Sequence, residues 1–251
     1  MGDDFQGLAV RHGFDRAGVE TRFLATDPGR PTSTTILSVR SCGQRSNYHM
    51  VGASLFFGIE PALLKALPGV RAVYWGAVNL PGVARDAPEF LRKARAAGAF
   101  VTCDLVSPRD GTLEDLARIL PHVDLFMRSL AEVRAINGDE DLPGAAQRFM
   151  AMGAGACVFK LGHERSVLFG ADRTIAMPSL PITPIDTTTC GDSFCSGFHA
   201  ARLRGYDEEH CLRFATATAA QVAMGLGTLG KLGSFDETLA LADTIPATPR
   251  V

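Results

Sequence analysis

Long apolar runs, basic clusters and paired cysteines are all missing from this chain of 251 residues. No apolar stretch is long enough to span a bilayer, and the opening Met1-Gly2-Asp3-Asp4 has neither the basic nor the apolar region of a signal peptide. A soluble cytoplasmic protein is expected. Lys and Arg are scattered and the formal charge is −2, so neither nucleic acid nor a membrane is expected as a partner. The six cysteines form no Cys-x-x-Cys pair and have no histidine at zinc-finger spacing, which excludes a zinc module. Cys103 and Cys157 read as small core residues in strands. Cys190 reads as a small residue that fits its loop, although a thiol at a helix start tends toward a lower pKa. His12, His49, His122, His163, His199 and His210 are dispersed, and are expected on surfaces or at helix ends. There is no internal repeat, and the Ile245–Pro249 tail is expected to lack order.

What the chain does have is apolar content, 46% of its residues, enough for one large domain with a sizeable core. From Pro61 onward, apolar segments alternate with amphipathic ones. Helical patterns cover Pro61–Leu67, the Phe90, Leu91, Ala94, Ala97 face, Leu113–Leu120, Leu130–Ile136 and Ala145–Met152. Between them Val70–Trp75, Phe100–Leu105, Val123–Met127 and Ala156–Leu161 are apolar throughout, as in strands of a parallel sheet covered on both faces. The C-terminal part is helical and rich in small residues. Earlier, Asp4–Arg16 reads as a helix ending near Gly18. Pro31–Arg40, a turn at Ser41-Cys42-Gly43-Gln44 and Arg45–Val51 form a hairpin pattern, either a lid, a dimer surface or a plain sheet edge.

The most informative stretch is Asp186-Thr187-Thr188-Thr189-Cys190-Gly191-Asp192-Ser193-Phe194. A β-branched approach leads into Cys190-Gly191, and a helical run over Asp192–Arg204 follows with Phe194, Phe198 and Ala201 on one face. A helix start directed at a ligand offers unpaired N–H groups and a positive dipole end, which suit phosphate oxygens. A carboxylate there can take a proton from a hydroxyl. The plain alternative is an N-capped helix after a strand.

The stretch resembles the second signature of the ribokinase-like (phosphofructokinase B-type) carbohydrate kinases, Asp-Thr-x-Gly-Ala-Gly-Asp-x-Phe. With one inserted Thr, the match falls on Asp186, Thr187, Gly191, Asp192 and Phe194. Gly2-Asp3-Asp4-Phe5-Gln6-Gly7 resembles the family's Gly-x-Asp-x-x-Gly segment, and residues 31–53 its lid strands. The resemblance implies a three-layer α/β/α fold with a mainly parallel central sheet, in one domain over residues 1–251, with a small β-hairpin lid inside residues 19–53. It also implies phosphoryl transfer from ATP to a hydroxyl of a sugar or sugar acid. Asp192 would be the general base and Thr189, Cys190, Gly191 and Asp192 the anion hole. Lys160 and Gly162 would lie near the ATP phosphates, and Thr216 and Gly227 would border the adenine pocket. Glu132, in Ser129-Leu130-Ala131-Glu132, would act on Mg2+ through water, and Asp186 would lie beside a potassium site. The lid would also offer a surface for a homodimer.

Three features depart from the family pattern. Thr189 stands at the signature's first Gly and, being β-branched, is expected to avoid positive φ. Ser129 replaces the Asn of Asn-x-x-Glu. The first strand with a sugar-binding Asp and a Gly-Gly-x-x-x-Asn segment, which precede Gly2 in relatives, do not stand in this sequence; that is about two βα units of ~30 residues each. An open sheet edge and impaired or absent sugar kinase activity are therefore expected, with the ATP side retained. The alternatives are a nucleoside kinase of the same fold and a non-catalytic nucleotide- or sugar-binding homologue. Gly225-Leu226-Gly227-Thr228-Leu229-Gly230 spells a dinucleotide motif but follows a helical Ala-rich run rather than a strand, which sets a dehydrogenase aside. Arg45, Asn47, His49 and Asn79 are the polar candidates for choosing a substrate.

Overall fold

A computed structural model describes residues 1–39, 45–78, 80–105, 108–138 and 140–246, without the side chains of residues 39, 45 and 46. The expected turn at 41–44, the Arg45 side chain, Asn79 and the tail beyond 246 lie outside the described residues.

Helix α1 (Phe5–Arg16) precedes an antiparallel hairpin, β1 (Thr34–Val39) and β2 (Arg45–Met50). Then follow α2 (Pro61–Lys65), β3 (Ala72–Val78), α3 (Pro81–Ala84), α4 (Ala87–Ala96), β4 (Phe100–Leu105) and α5 (Thr112–Ile119). The chain continues through β5 (Leu125–Ser129), α6 (Leu130–Asn137), α7 (Leu142–Ala151), β6 (Ala156–Lys160), β7 (Arg165–Phe169) and β8 (Thr174–Pro178). It closes with α8 (Cys190–Arg202), α9 (Glu208–Ala223) and α10 (Phe235–Ala242).

The six strands β3 to β8 form one sheet in chain order, parallel from β3 to β6 and antiparallel from β6 to β8. Side chains alternate across it. In β5, Phe126 joins the core beneath α4, α5 and α7, whereas Leu125 and Met127 join the core beneath α8, α9 and α10. Both faces are covered, which is why these strands are apolar throughout. Among the described strands, β3 pairs only with β4 and so forms one edge of the sheet.

Phe100–Leu105 matches its expected span, and Cys103 and Cys157 are fully buried in strands as expected. The antiparallel pair β7 and β8 was not foreseen. Neither is apolar throughout: β7 opens on Arg165-Ser166, and β8 opens on Thr174 and closes on Pro178.

Asp4 ties the first segment together. It caps α1 through the Gly7 amide at 2.8 Å, and also accepts the Thr32 amide at 2.7 Å and the Thr32 hydroxyl at 2.6 Å. Gly2 and Gly52 leave room for this: a Cβ on Gly2 would stand 2.6 Å from the Thr32 nitrogen, and one on Gly52 2.7 Å from the Ser33 nitrogen. The Gly-x-Asp-x-x-Gly segment thus anchors the entry to the hairpin at Thr32, and its exit at Gly52 and Ala53 is held in turn by Ser33 and Pro31.

Helix α8 is seated by Phe194, Cys195, Phe198 and Ala201, all in the core. Gly197 lets α9 approach closely, since a Cβ there would stand 3.0 Å from the Ala215 Cα. This packing fixes where the first turn of α8 points.

Candidate active site

The first turn of α8 rises from a strained residue. Thr189, its N-cap, has φ 59° and ψ 9°, the one left-handed non-glycine among the described residues. This corrects the expectation that a β-branched residue here would avoid positive φ. The Thr189 hydroxyl donates toward the Thr188 and Thr228 carbonyls, each at 2.7 Å, and those contacts offset a backbone cost of about 1–2 kcal/mol.

The amides of the turn divide. Cys190 N–H donates to the Thr187 carbonyl at 3.4 Å and Ser193 N–H to the Thr189 carbonyl at 2.8 Å. Gly191 and Asp192 present the first-turn amides that a helix start leaves without an intrahelical acceptor. Asp192 is exposed, and its Oδ1 accepts the Tyr74 hydroxyl at 2.9 Å. It is neither sunk among apolar neighbours nor free of the sheet. Burial first, and then the charges of Cys195, Asp104 and Asp192, push the Tyr74 phenol far up, so it remains a donor.

Lys160, at the end of β6, lies directly below this turn. A Cβ on Gly191 would stand 3.4 Å from Lys160 Nζ and within 4 Å of no other atom outside its own neighbourhood. The same Nζ is 2.8 Å from Asp104 Oδ2, and Asp104 Oδ1 accepts Arg128 Nη1 at 3.0 Å. Burial pushes the Asp104 carboxyl up, but Lys160 and Arg128 outweigh it and hold the carboxyl below its ordinary value. Burial pulls the Lys160 ammonium down, and Cys195, Asp104 and Glu132 more than reverse it. Lys160, Asp104, Arg128 and Ser129 all stand at the carboxyl ends of their parallel strands, the end at which open α/β sheets bind ligands.

The other expected residues take up places in the framework. Asp186 is buried; its carboxylate accepts the Thr188 amide at 2.9 Å, the Thr188 hydroxyl at 2.6 Å and the Gly227 amide at 3.1 Å. It therefore ties the turn before α8 to the loop after α9. Gly227 sits in that loop at φ 79°. Glu132 forms a capping box with Ser129: its Oε2 accepts the Ser129 amide at 2.8 Å, and its own amide donates to Ser129 Oγ at 3.3 Å. Thr216 is buried in α9, its hydroxyl on the Leu212 carbonyl at 2.9 Å. Gly162 turns the chain after β6 at φ 63°. Among the described residues no group of three or more His, Cys, Asp or Glu is arranged to hold a metal.

Three residues at this site were not singled out from the sequence: Tyr74, Asp104 and Arg128. Asp104 and Arg128 did carry a signal, because each is a charge at the end of an otherwise apolar strand. His199 corrects an expectation as well. It is buried in α8, with Nε2 2.6 Å from the Thr102 hydroxyl. A cavity of ≈ 530 Å³ lies at the far end of α8 from Asp192, between Arg71, Phe100 and Arg202. Its size does not mark the chemistry.

Comparison with known proteins agrees with this fold. The family described as pfkB family carbohydrate kinase matches residues 1–232. A nucleoside kinase of Methanothermobacter thermautotrophicus is 27% identical over 231 residues, which cover 91% of this chain and 72% of that protein. The structure of Arabidopsis thaliana ribokinase complexed with ribose and ATP superposes with a TM-score of 0.82 at 22% identity, covering 96% of this chain and 80% of that one. A structure from Escherichia coli in complex with ATP and Mg2+ gives a TM-score of 0.84 at 19% identity, covering 97% and 81%.

Proposed function

The chain belongs to the pfkB family of carbohydrate kinases, and from that premise we propose that it transfers the γ-phosphoryl group of ATP to a hydroxyl of a sugar or sugar acid. The observation that carries this reading is the first turn of α8: Gly191 and Asp192 amides, the Lys160 ammonium below them, and the Asp192 carboxylate at the same turn. A Cβ on Gly191 would meet Lys160 Nζ and, beyond its own helix turn and chain neighbours, nothing else within 4 Å, and an open helix start beside a cation suits an anionic phosphate.

Phosphoryl transfer asks for positioning and charge neutralisation more than covalent chemistry. One oxygen of Asp192 is held by Tyr74, and the other takes the proton of the acceptor hydroxyl as its oxygen attacks the γ-phosphorus and ADP departs. The Gly191 and Asp192 amides donate to the transferring oxygens, each worth about 3 kcal/mol in a dry site. Thr189 and Cys190 shape the turn. Lys160 adds a point charge, and Gly162 lets the chain turn away beside it. Asp186, through Gly227, aligns this turn with the loop after α9, and Thr216 and Gly227 border the adenine.

When bound, Mg2+ neutralises the phosphates. Few protein ligands suit it, since magnesium keeps much of its water, and Glu132 is the residue that would steady it. Potassium beside Asp186 fits less well, because both carboxylate oxygens already accept bonds from the protein. We read residues 1–251 as one kinase domain, with the hairpin inside 19–53 as its lid. The exposed Ile36 and Tyr48, paired across the hairpin, support a homodimer through it.

A second reading, a nucleoside kinase, is favoured by the 27% identical relative. One experiment separates the two. The protein is incubated with Mg·ATP and a panel of sugars, sugar acids and nucleosides, and ADP release is matched to phosphorylated product. A sugar product supports the first reading and a nucleoside product the second. ATP turnover with no product from the panel contradicts both.

A further inference from the structure

Beneath the α8 turn, two cations share one carboxylate. Asp104 binds Arg128 Nη1 at 3.0 Å and Lys160 Nζ at 2.8 Å; it also accepts the Leu105 amide at 2.8 Å and lies 3.4 Å from the Cys195 thiol. The Arg128 side chain is wholly buried, its guanidinium lies 3.7 Å from the centre of the Phe126 ring, and its Nε and Nη2 have no hydrogen-bond partner. A buried charge without a counterpart is costly, and a core that required only cohesion would hold one cation per carboxylate, or none. Of the three groups only Lys160 reaches toward solvent, its side chain 14% exposed, and it does so under Gly191.

We propose that Asp104, backed by Arg128, is a positioning residue that fixes the Lys160 ammonium below the α8 turn, where it meets the phosphate chain of a nucleoside triphosphate. This rests on the kinase reading above. It adds to it the element that places the cation. The groups acting on Lys160 are Asp104 from β4, Glu132 from α6 and Cys195 from α8; Arg128 from β5 reaches it through Asp104, and Asp192 from α8 and Tyr74 from β3 through Cys195.

Calorimetric titration of the whole chain with Mg·ATP and with adenosine, alongside thermal melting, tests it. Lys160→Met leaves Asp104 and Arg128 as a balanced pair. It is expected to melt no lower than wild type while binding ATP about tenfold or more weakly, with adenosine affinity unchanged. Opposite movement of stability and ATP affinity is what a merely structural lysine would not give. Asp104→Asn removes the carboxylate between the two buried cations and leaves Glu132 alone to hold the charge on Lys160, so burial and Arg128 draw the Lys160 ammonium down. Its ATP affinity should fall between pH 7 and 9.5, where wild type stays level. The double variant Asp104→Asn with Lys160→Met should be weak and level across that range, and it covers the case in which Asp104→Asn alone does not fold.

Lys160→Met with wild-type ATP affinity overturns the inference alone, leaving the kinase reading in place. So does a Lys160→Met protein that loses stability and ATP affinity together, or an Asp104→Asn protein with no pH dependence. Wild-type protein that binds no ATP overturns the kinase reading and, with it, the inference.

Discussion

Tyr74 and Asp192, separated by 118 positions in the chain, meet across the edge of the sheet: the phenol donates to Asp192 Oδ1 at 2.9 Å. Strand β3 supplies the donor and α8 the acceptor, so the proposed base is braced by a different element from the one that carries it. Tyr74→Phe removes the brace without removing the ring. A hydrogen bond to a charged group is worth about 1.5–3 kcal/mol, so turnover should fall roughly 10- to 150-fold while ATP affinity holds. Steady-state kinetics on the acceptor found in the panel, with ATP titration, check this. A loss of ATP affinity matching the loss in turnover would place Tyr74 at the nucleotide instead.

Thr189 allows strain and hydrogen bonding to be separated. Thr189→Gly relieves the left-handed backbone but deletes the contacts to the Thr188 and Thr228 carbonyls, so the two changes nearly cancel, to within about 1 kcal/mol. Thr189→Val keeps the β-branch and its strain and loses the hydroxyl, which should cost about 2 kcal/mol. Urea midpoints rank wild type and Gly together, with Val below. Val at or above Gly contradicts this assignment of the strain.

His199 links stability to acid. Burial, and next the Arg202 charge, push its imidazole down to about 4, against about 6.5 in an unfolded chain. Between those values the unfolded chain takes up a proton that the folded chain refuses. This contribution is therefore complete above pH 6.5 and is lost as pH falls toward 4, on the order of 3 kcal/mol in all. Urea unfolding of wild type and His199→Gln at pH 7 and pH 4.5 should show their stability difference narrowing in acid. A constant difference removes His199 as the cause.

Much of this arrangement was legible in the chain itself. Strand β4 matched its expected ends because an apolar run bounded by Gly98 and Pro108 leaves little choice. The α8 start was found within two residues from the Asp186–Phe194 stretch. Thr189 was misjudged because a local rule about β-branched residues does not register the Thr228 carbonyl, 39 positions away, that holds it. His199 and Tyr74 were passed over for a related reason: their partners Thr102 and Asp192 lie 97 and 118 positions distant, where no spacing points to them. The Asp104–Arg128–Lys160 cluster joins three strands whose alignment emerges only once the sheet is formed.

Asp192→Asn offers the most direct test, with transfer of labelled γ-phosphoryl from Mg·ATP to the panel acceptor measured beside calorimetric ATP binding. The expected result is ATP affinity within about threefold of wild type and transfer slowed by at least ~10²-fold, the loss of a positioned base. Transfer by Asp192→Asn at the wild-type rate would show that the proton leaves by another route, and that the α8 turn is not where the chemistry occurs.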